Sequence, residues 1–313
     1  MAEIFEVDGR RAAVHPGHRP DAPLILLQSY GREPSGVLKR LRGAGAPDFS
    51  LVEVFCLSWT QDMSPWTVPA LAAGGEPEEG HADAWLARLL CEVLPEAERR
   101  LDAAFGEPAA PVWRGIAGYS LAGLFALYAL YRTDAFCCAA CASPSLWVPG
   151  MMELVRGGAP KRPPRAVYFS IGRKESKTRQ PLMQTAEAAV REAAARFEAE
   201  GVPCAFELNP GGHFSDPDGR MAAGILWLLR RQQASARSRF GACAASRMEK
   251  GGTACRPAFR IHPRYDSAKA EGYFAASFFA HGSNFGVSGP FGGRTGYSIL
   301  GCSPVSVFRN ATI

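Results

Sequence analysis

The chain has 313 residues, 47% of them apolar, and a formal net charge of +5. That length holds one large domain or two small ones, and that apolar fraction builds a packed core, which excludes an intrinsically disordered chain. The charge is unevenly placed: residues 1–234 carry 25 Lys and Arg against 27 Asp and Glu, whereas residues 235–313 carry 10 against 3. The larger part is therefore near neutral, which argues against a nucleic-acid footprint on it.

The opening residues MAEIFEVDGRR contain no apolar segment of the secretory kind. No apolar run reaches the roughly 18 residues a membrane span needs. The expectation is a soluble, cytoplasmic protein with no membrane span. None of the nine cysteines forms a paired C-x-x-C spacing with histidines nearby, so reduced thiols and no zinc are expected. Cys137, Cys138 and Cys141 lie in one apolar run and read as buried small residues. No metal and no cofactor is expected.

In chain order, LILLQSY (24–30) reads as a buried strand ended by Gly31, and SLVEVFCL (50–57) as a second strand. An aromatic, turn-rich loop follows over 58–69. Apolar residues from Trp85 to Leu101 recur at helical spacing, which predicts a helix over 83–105 that Pro95 kinks or divides. Residues 113–117 read as a strand, 121–131 as a helix, 136–142 as a strand and 165–171 as another. Pro181 to Glu200 is an amphipathic helix, with proline in its first turn and Gly201 past its end. Residues 204–208 form a last strand and 219–232 a last helix. Strands alternating with helices predict an α/β fold with a parallel, helix-covered sheet. The pattern stops near residue 234. The expectation is a domain over 1–234 and a basic, Gly/Ser/Arg-rich tail over 235–313 that is disordered or non-native.

The stretch RGIAGYSLAGLFALYAL (114–130) carries the chemistry. A serine hydroxyl is a poor nucleophile near neutral pH and needs a base and a place for a developing oxyanion. A sharp strand-to-helix turn lifts the hydroxyl clear of the sheet and aims the next backbone N–H at that oxyanion. Gly118, Ala122 and Gly123 supply the small residues such a turn requires around Ser120. Leu121 N–H is then one oxyanion donor. The tail repeats Gly-Tyr-Ser at 296–298, but without a small residue two places on or a helix after it.

Among six histidines, His213 alone follows a late strand directly, in NPGGHFSD, where Gly211 and Gly212 let it overhang the strand ends. His15, His18 and His81 read as solvated. The orienting carboxylate is expected between nucleophile and base in sequence, and Glu175 alone comes directly after a strand there. Asp216 and Asp218 are alternatives. The second oxyanion donor belongs to the loop after an early strand, which points to Tyr30 N–H.

GYSLAGLFALYALYRTDAF (118–136), SPSLW (143–147), SIGRKESKTRQPLM (170–183), GGHF (211–214) and DMSPW (62–66) together resemble the α/β-hydrolase-fold serine esterases. The resemblance is to the branch of siderophore esterases and esterase D-like enzymes, and covers about residues 20–232. It implies a mostly parallel sheet with helices on both faces, a carboxylic ester as small-molecule substrate, and Ser120, Glu175 and His213 as nucleophile, acid and base. It also implies that Trp66 and Trp147 line the pocket mouth. The chain departs from the family at Ala122, where glycine is usual, and at Gln28-Ser29-Tyr30-Gly31, where an Asp-Gly signature is usual. Two other readings fit the same residues: an acyltransferase with the same triad, and an inactive hydrolase fold kept for binding.

Overall fold

Short β-branched and leucine-rich runs alternate with amphipathic stretches, and they assemble into one sheet between two helical layers. The structure, a computed structural model, describes residues 3–71 and 74–232. The tail expected over 235–313, its boundary at 234 and the second Gly-Tyr-Ser lie outside the described residues.

The strands are β1 (Glu3–Val7), β2 (Arg10–His15), β3 (Leu24–Gln28), β4 (Ser50–Phe55), β5 (Arg114–Tyr119), β6 (Cys138–Ala142), β7 (Ala166–Gly172) and β8 (Cys204–Asn209). Their order across the sheet is β1-β2-β4-β3-β5-β6-β7-β8. From β4 to β8 all neighbours are parallel, and β1 and β2 join antiparallel at one edge. The helices are α1 (Val37–Gly43), α2 (Trp59–Met63), α3 (Ala82–Arg88), α4 (Leu94–Phe105), α5 (Leu121–Arg132), α6 (Met151–Gly157), α7 (Pro181–Gln184) and α8 (Ala186–Ala199). Residues 217–232 form a further helix, α9.

Alternation along the strands splits the core in two. Leu24 and Leu26 of β3 face one cluster with α3, α4, α5, α6 and α8. Ile25 and Leu27 face the other, with Val37 and Leu41 of α1 and Met221, Ile225 and Leu228 of α9. The sequence-predicted α/β architecture is therefore a three-layer sandwich. Cys137, Cys138 and Cys141 are buried within it, as their apolar run implies.

The helix predicted over 83–105, kinked or divided at Pro95, is α3 and α4 joined by a π-helical turn over Leu89–Val93, with Pro95 in the first turn of α4. The wider turn accommodates the missing proline N–H without ending the helix. The hairpin β1–β2 adds two strands ahead of the first one read from the sequence. Its Asp8-Gly9 turn, with both residues at positive φ (49° and 74°), is the connection that two-residue hairpins favour. Consequently His15 is not a solvated residue; it closes β2 opposite Leu51 and is half-buried. His18 and His81 are exposed. Among the described residues, no helix is long and apolar enough to cross a membrane.

Strand β5 lies at the centre of the sheet, and α5, buried along its length, packs across it. At Gly118 the two elements touch so closely that a Cβ would overlap the Ala122 carbonyl. Gly118→Ala is expected to destabilise the domain by about 1–3 kcal/mol, the usual range for forced overpacking, measured by urea unfolding. A neutral effect would mean that α5 can retreat from β5.

Candidate active site

Strand β5 passes into α5 through Ser120 with no spacer residue. Ser120 has φ 61° and ψ −124°, a region that costs a non-glycine residue about 1–3 kcal/mol. Backbone bonds hold it there. Ser120 N–H donates to Ala142 O at 3.1 Å, and Ser120 O accepts from Gly123, Leu124 and Ser145 N–H. The hydroxyl is thereby lifted off the sheet. Leu121, at the first position of α5, has an N–H with no intrahelical acceptor.

His213 reaches Ser120 from the loop after β8. Its Nε2 lies 3.0 Å from Ser120 Oγ, and its Nδ1 lies 2.7 Å from Glu175 Oε2. Asp216 and Asp218 do not take that place. Asp216 pairs with Arg40, and Asp218 Oδ2 accepts from Gly36 N–H. The structure thus brings Ser120, His213 and Glu175 into one hydrogen-bonded chain.

Glu175 is buried. Burial pushes its carboxyl up, but bonds from His213, Ser143 Oγ and Gly172 N–H, with the His213 charge, outweigh this and hold it below its ordinary value. An ionised carboxylate only accepts hydrogen bonds, so Nδ1 carries the imidazole proton and Nε2 is left to accept from the serine.

Arg220, a fourth residue that shapes this chain, escapes sequence reasoning because an arginine on a helix reads as solvated. It is 5% exposed. Its Nη1 donates to Glu175 Oε1 at 2.9 Å, to Ser143 Oγ at 3.2 Å and to Tyr119 OH at 3.1 Å. Its Nη2 donates to Pro210 O and Gly212 O. One guanidinium therefore holds both the carboxylate and the loop that carries the histidine. Burial raises the Tyr119 pKa, so the phenol keeps its proton and donates it to His213 O at 2.6 Å. Gly172 and Gly211 leave room for this packing, since a Cβ on Gly172 would come within 2.8 Å of Glu175 Oε1.

Tyr30 follows β3 beside the β5 elbow, is 77% exposed and packs edge-on against Trp59 with ring centroids 5.1 Å apart. Its loop is pinned through Ser29 and Ser35, both of which bond Glu53. Trp66 is half-buried between Tyr128 and Gly150, where a Cβ would meet its ring at 2.6 Å. Trp147 is half-buried against the same core. Ser145, from SPSLW, places its Oγ 3.4 Å from Ser120 Oγ. Among the described residues, no group of three or more His, Cys, Asp or Glu is placed to hold a metal ion.

A three-layer sandwich with a strained serine between a central parallel strand and its helix defines an α/β hydrolase. Residues 58–216 match the Esterase family, described as "Putative esterase". The chain belongs to this family and is a hydrolase of carboxylic esters. No curated protein matches it. Solved structures with the same fold include siderophore hydrolase EstA from Aspergillus nidulans, at 18% identity and TM-score 0.56, over 74% of this chain and 94% of that one. An IroE-like serine hydrolase from Shewanella oneidensis aligns at 16% identity and TM-score 0.59, over 74% and 80%. The enterobactin esterase FES from Shigella flexneri aligns at 17% identity and TM-score 0.51, over 74% and 60%.

Two outcomes follow from the buried charges. Arg220→Met takes the guanidinium away from the buried Glu175 carboxylate, and its Nη2 bonds away from Pro210 O and Gly212 O, and is expected to cost about 3–5 kcal/mol of stability. Arg220→Lys is expected to rescue little of it, because one ammonium cannot span both groups; urea unfolding of both variants measures this. The depressed Glu175 pKa contributes stability that is present above the ordinary carboxylate range and is lost as pH falls through the lower folded value. A Glu175→Gln variant is expected to lack that acid-side loss, read from unfolding midpoints at a series of pH values.

Proposed function

We propose that Ser120 is the nucleophile, His213 the general base and Glu175 the carboxylate that fixes the imidazole, with residues 1–234 as the catalytic domain. The single observation that supports this reading is the unbroken bonding from Ser120 Oγ through both nitrogens of His213 to Glu175. In the first step, Ser120 Oγ attacks the ester carbonyl and its proton passes to His213 Nε2. The carbonyl oxygen becomes an oxyanion, received by Leu121 N–H and Tyr30 N–H. Collapse breaks the ester C–O bond, and His213 returns the proton to the leaving alcohol. The acyl-enzyme is cleared by water through the same steps in reverse, which regenerates Ser120 and releases the acid.

Trp66 and Trp147 are the candidate walls for the acyl or alcohol group. The fold neighbours are named for siderophore and enterobactin hydrolysis, so siderophore-type esters are the first natural substrates to test.

The decisive experiment reacts the protein with a fluorophosphonate probe and maps the labelled peptide. Label is expected on Ser120 and is expected to vanish in Ser120→Ala. His213→Ala is expected to slow labelling and ester hydrolysis by roughly 10⁴–10⁶-fold, with the fold retained. Label on Ser145, or rapid labelling without His213, would overturn the assignment.

A further inference from the structure

Against Ser35 of the loop that carries Tyr30 lies a cavity of about 310 Å³, walled by Glu53, His15, Lys39, Arg42 and Leu38 among others. Glu53 stands in β4 and is fully buried. Its Oε1 accepts from Ser29 Oγ and Ser35 N–H, each at 2.6 Å. Its Oε2 is buried and has no hydrogen-bond partner. His15 Nε2, in the same wall, is also buried without a partner. Buried polar atoms are almost always satisfied, so two orphans in one cavity wall mark a place that a polar ligand completes. Burial, and then the charge of Arg42, lower the His15 pKa, which keeps the imidazole neutral.

The charges of the wall select the ligand. A carboxylate with one oxygen unpartnered asks for a cationic donor. Lys39 and Arg42, three residues apart on one face of α1, repel a simple cation and attract an anion. Leu38 adds apolar surface to the wall. A ligand with one charge satisfies only half of this wall. We propose that the cavity is a binding site for a small zwitterion of the α-amino-acid type, its ammonium on Glu53 Oε2 and its carboxylate toward Lys39 and Arg42. His15 Nε2 then bonds either group according to its tautomer. The site is separate from Ser120 and does not depend on the role assigned to it.

The test is titration calorimetry of the full-length protein with glycine, L-norvaline and L-phenylalanine, which span the size the cavity admits. Saturable binding of at least one, in the millimolar range or tighter, is expected. Pentanoate and butylamine, which are norvaline without its ammonium and without its carboxylate, are expected to bind at least about tenfold more weakly. Glu53→Gln keeps an oxygen for Ser29 and Ser35 but puts an NH₂ where Oε2 stood, and is expected to weaken binding by about tenfold or more. Should that variant fail to fold, the exposed pair Lys39→Met with Arg42→Met is expected to weaken norvaline binding and leave butylamine unaffected. No saturable binding by any of the three amino acids would overturn the proposal. So would pentanoate or butylamine binding as well as norvaline, or a folded Glu53→Gln protein that binds like the wild type.

Discussion

A serine at φ 61° and ψ −124° does not persist in an isolated peptide; it needs a frame that gives the backbone no alternative. Here the frame is the parallel sheet. Ser120 N–H is bonded to the end of β6, and Ser120 O is bonded to Ser145 beyond it. The turn therefore couples β5 to β6, and every other feature of the site is placed relative to it. The close approach at Gly118 follows from the same constraint, because α5 must start directly above the strand that delivers the serine.

The second organising feature is a buried charge cluster that is internally satisfied. Glu175 accepts from Ser143, Gly172 and Arg220 at one oxygen and from His213 at the other. A buried ion pair adds little net stability against an apolar replacement, but removing one partner is severe. What it supplies is uniqueness of geometry. Arg220 ties the carboxylate of the β7 end to the carbonyls of the β8 loop, so two segments that meet only in space move as one. His213 between them is held at two points, its ring Nδ1 by Glu175 and its backbone carbonyl by the Tyr119 hydroxyl.

The opposite flank is built differently. The antiparallel hairpin β1–β2 extends the sheet past β4, and in doing so it sets Ala13 opposite Glu53 and His15 opposite Leu51. Glu53 then serves the loop 29–36 from beneath, gripping it at both ends. The exposed aromatic at Tyr30 owes its position to this buried carboxylate as much as to its own strand.

Much of this was legible along the chain. The alternation of strands and helices from Leu24 to α9 defines the sandwich, because periodicity reports which face of each element is buried. The small residues around Ser120, the glycines before His213 and the place of Glu175 after β7 are local patterns, each set by what a neighbouring few residues must do. What tertiary structure alone decided is everything that depends on pairing distant segments. Nothing near Arg220 in sequence says that it lies under Glu175, 45 positions away. Glu53 looks like a polar interruption in an apolar strand until Ser29 and Ser35 are seen to converge on it. A buried polar group is explained only by its partners, and partners are a property of the folded chain.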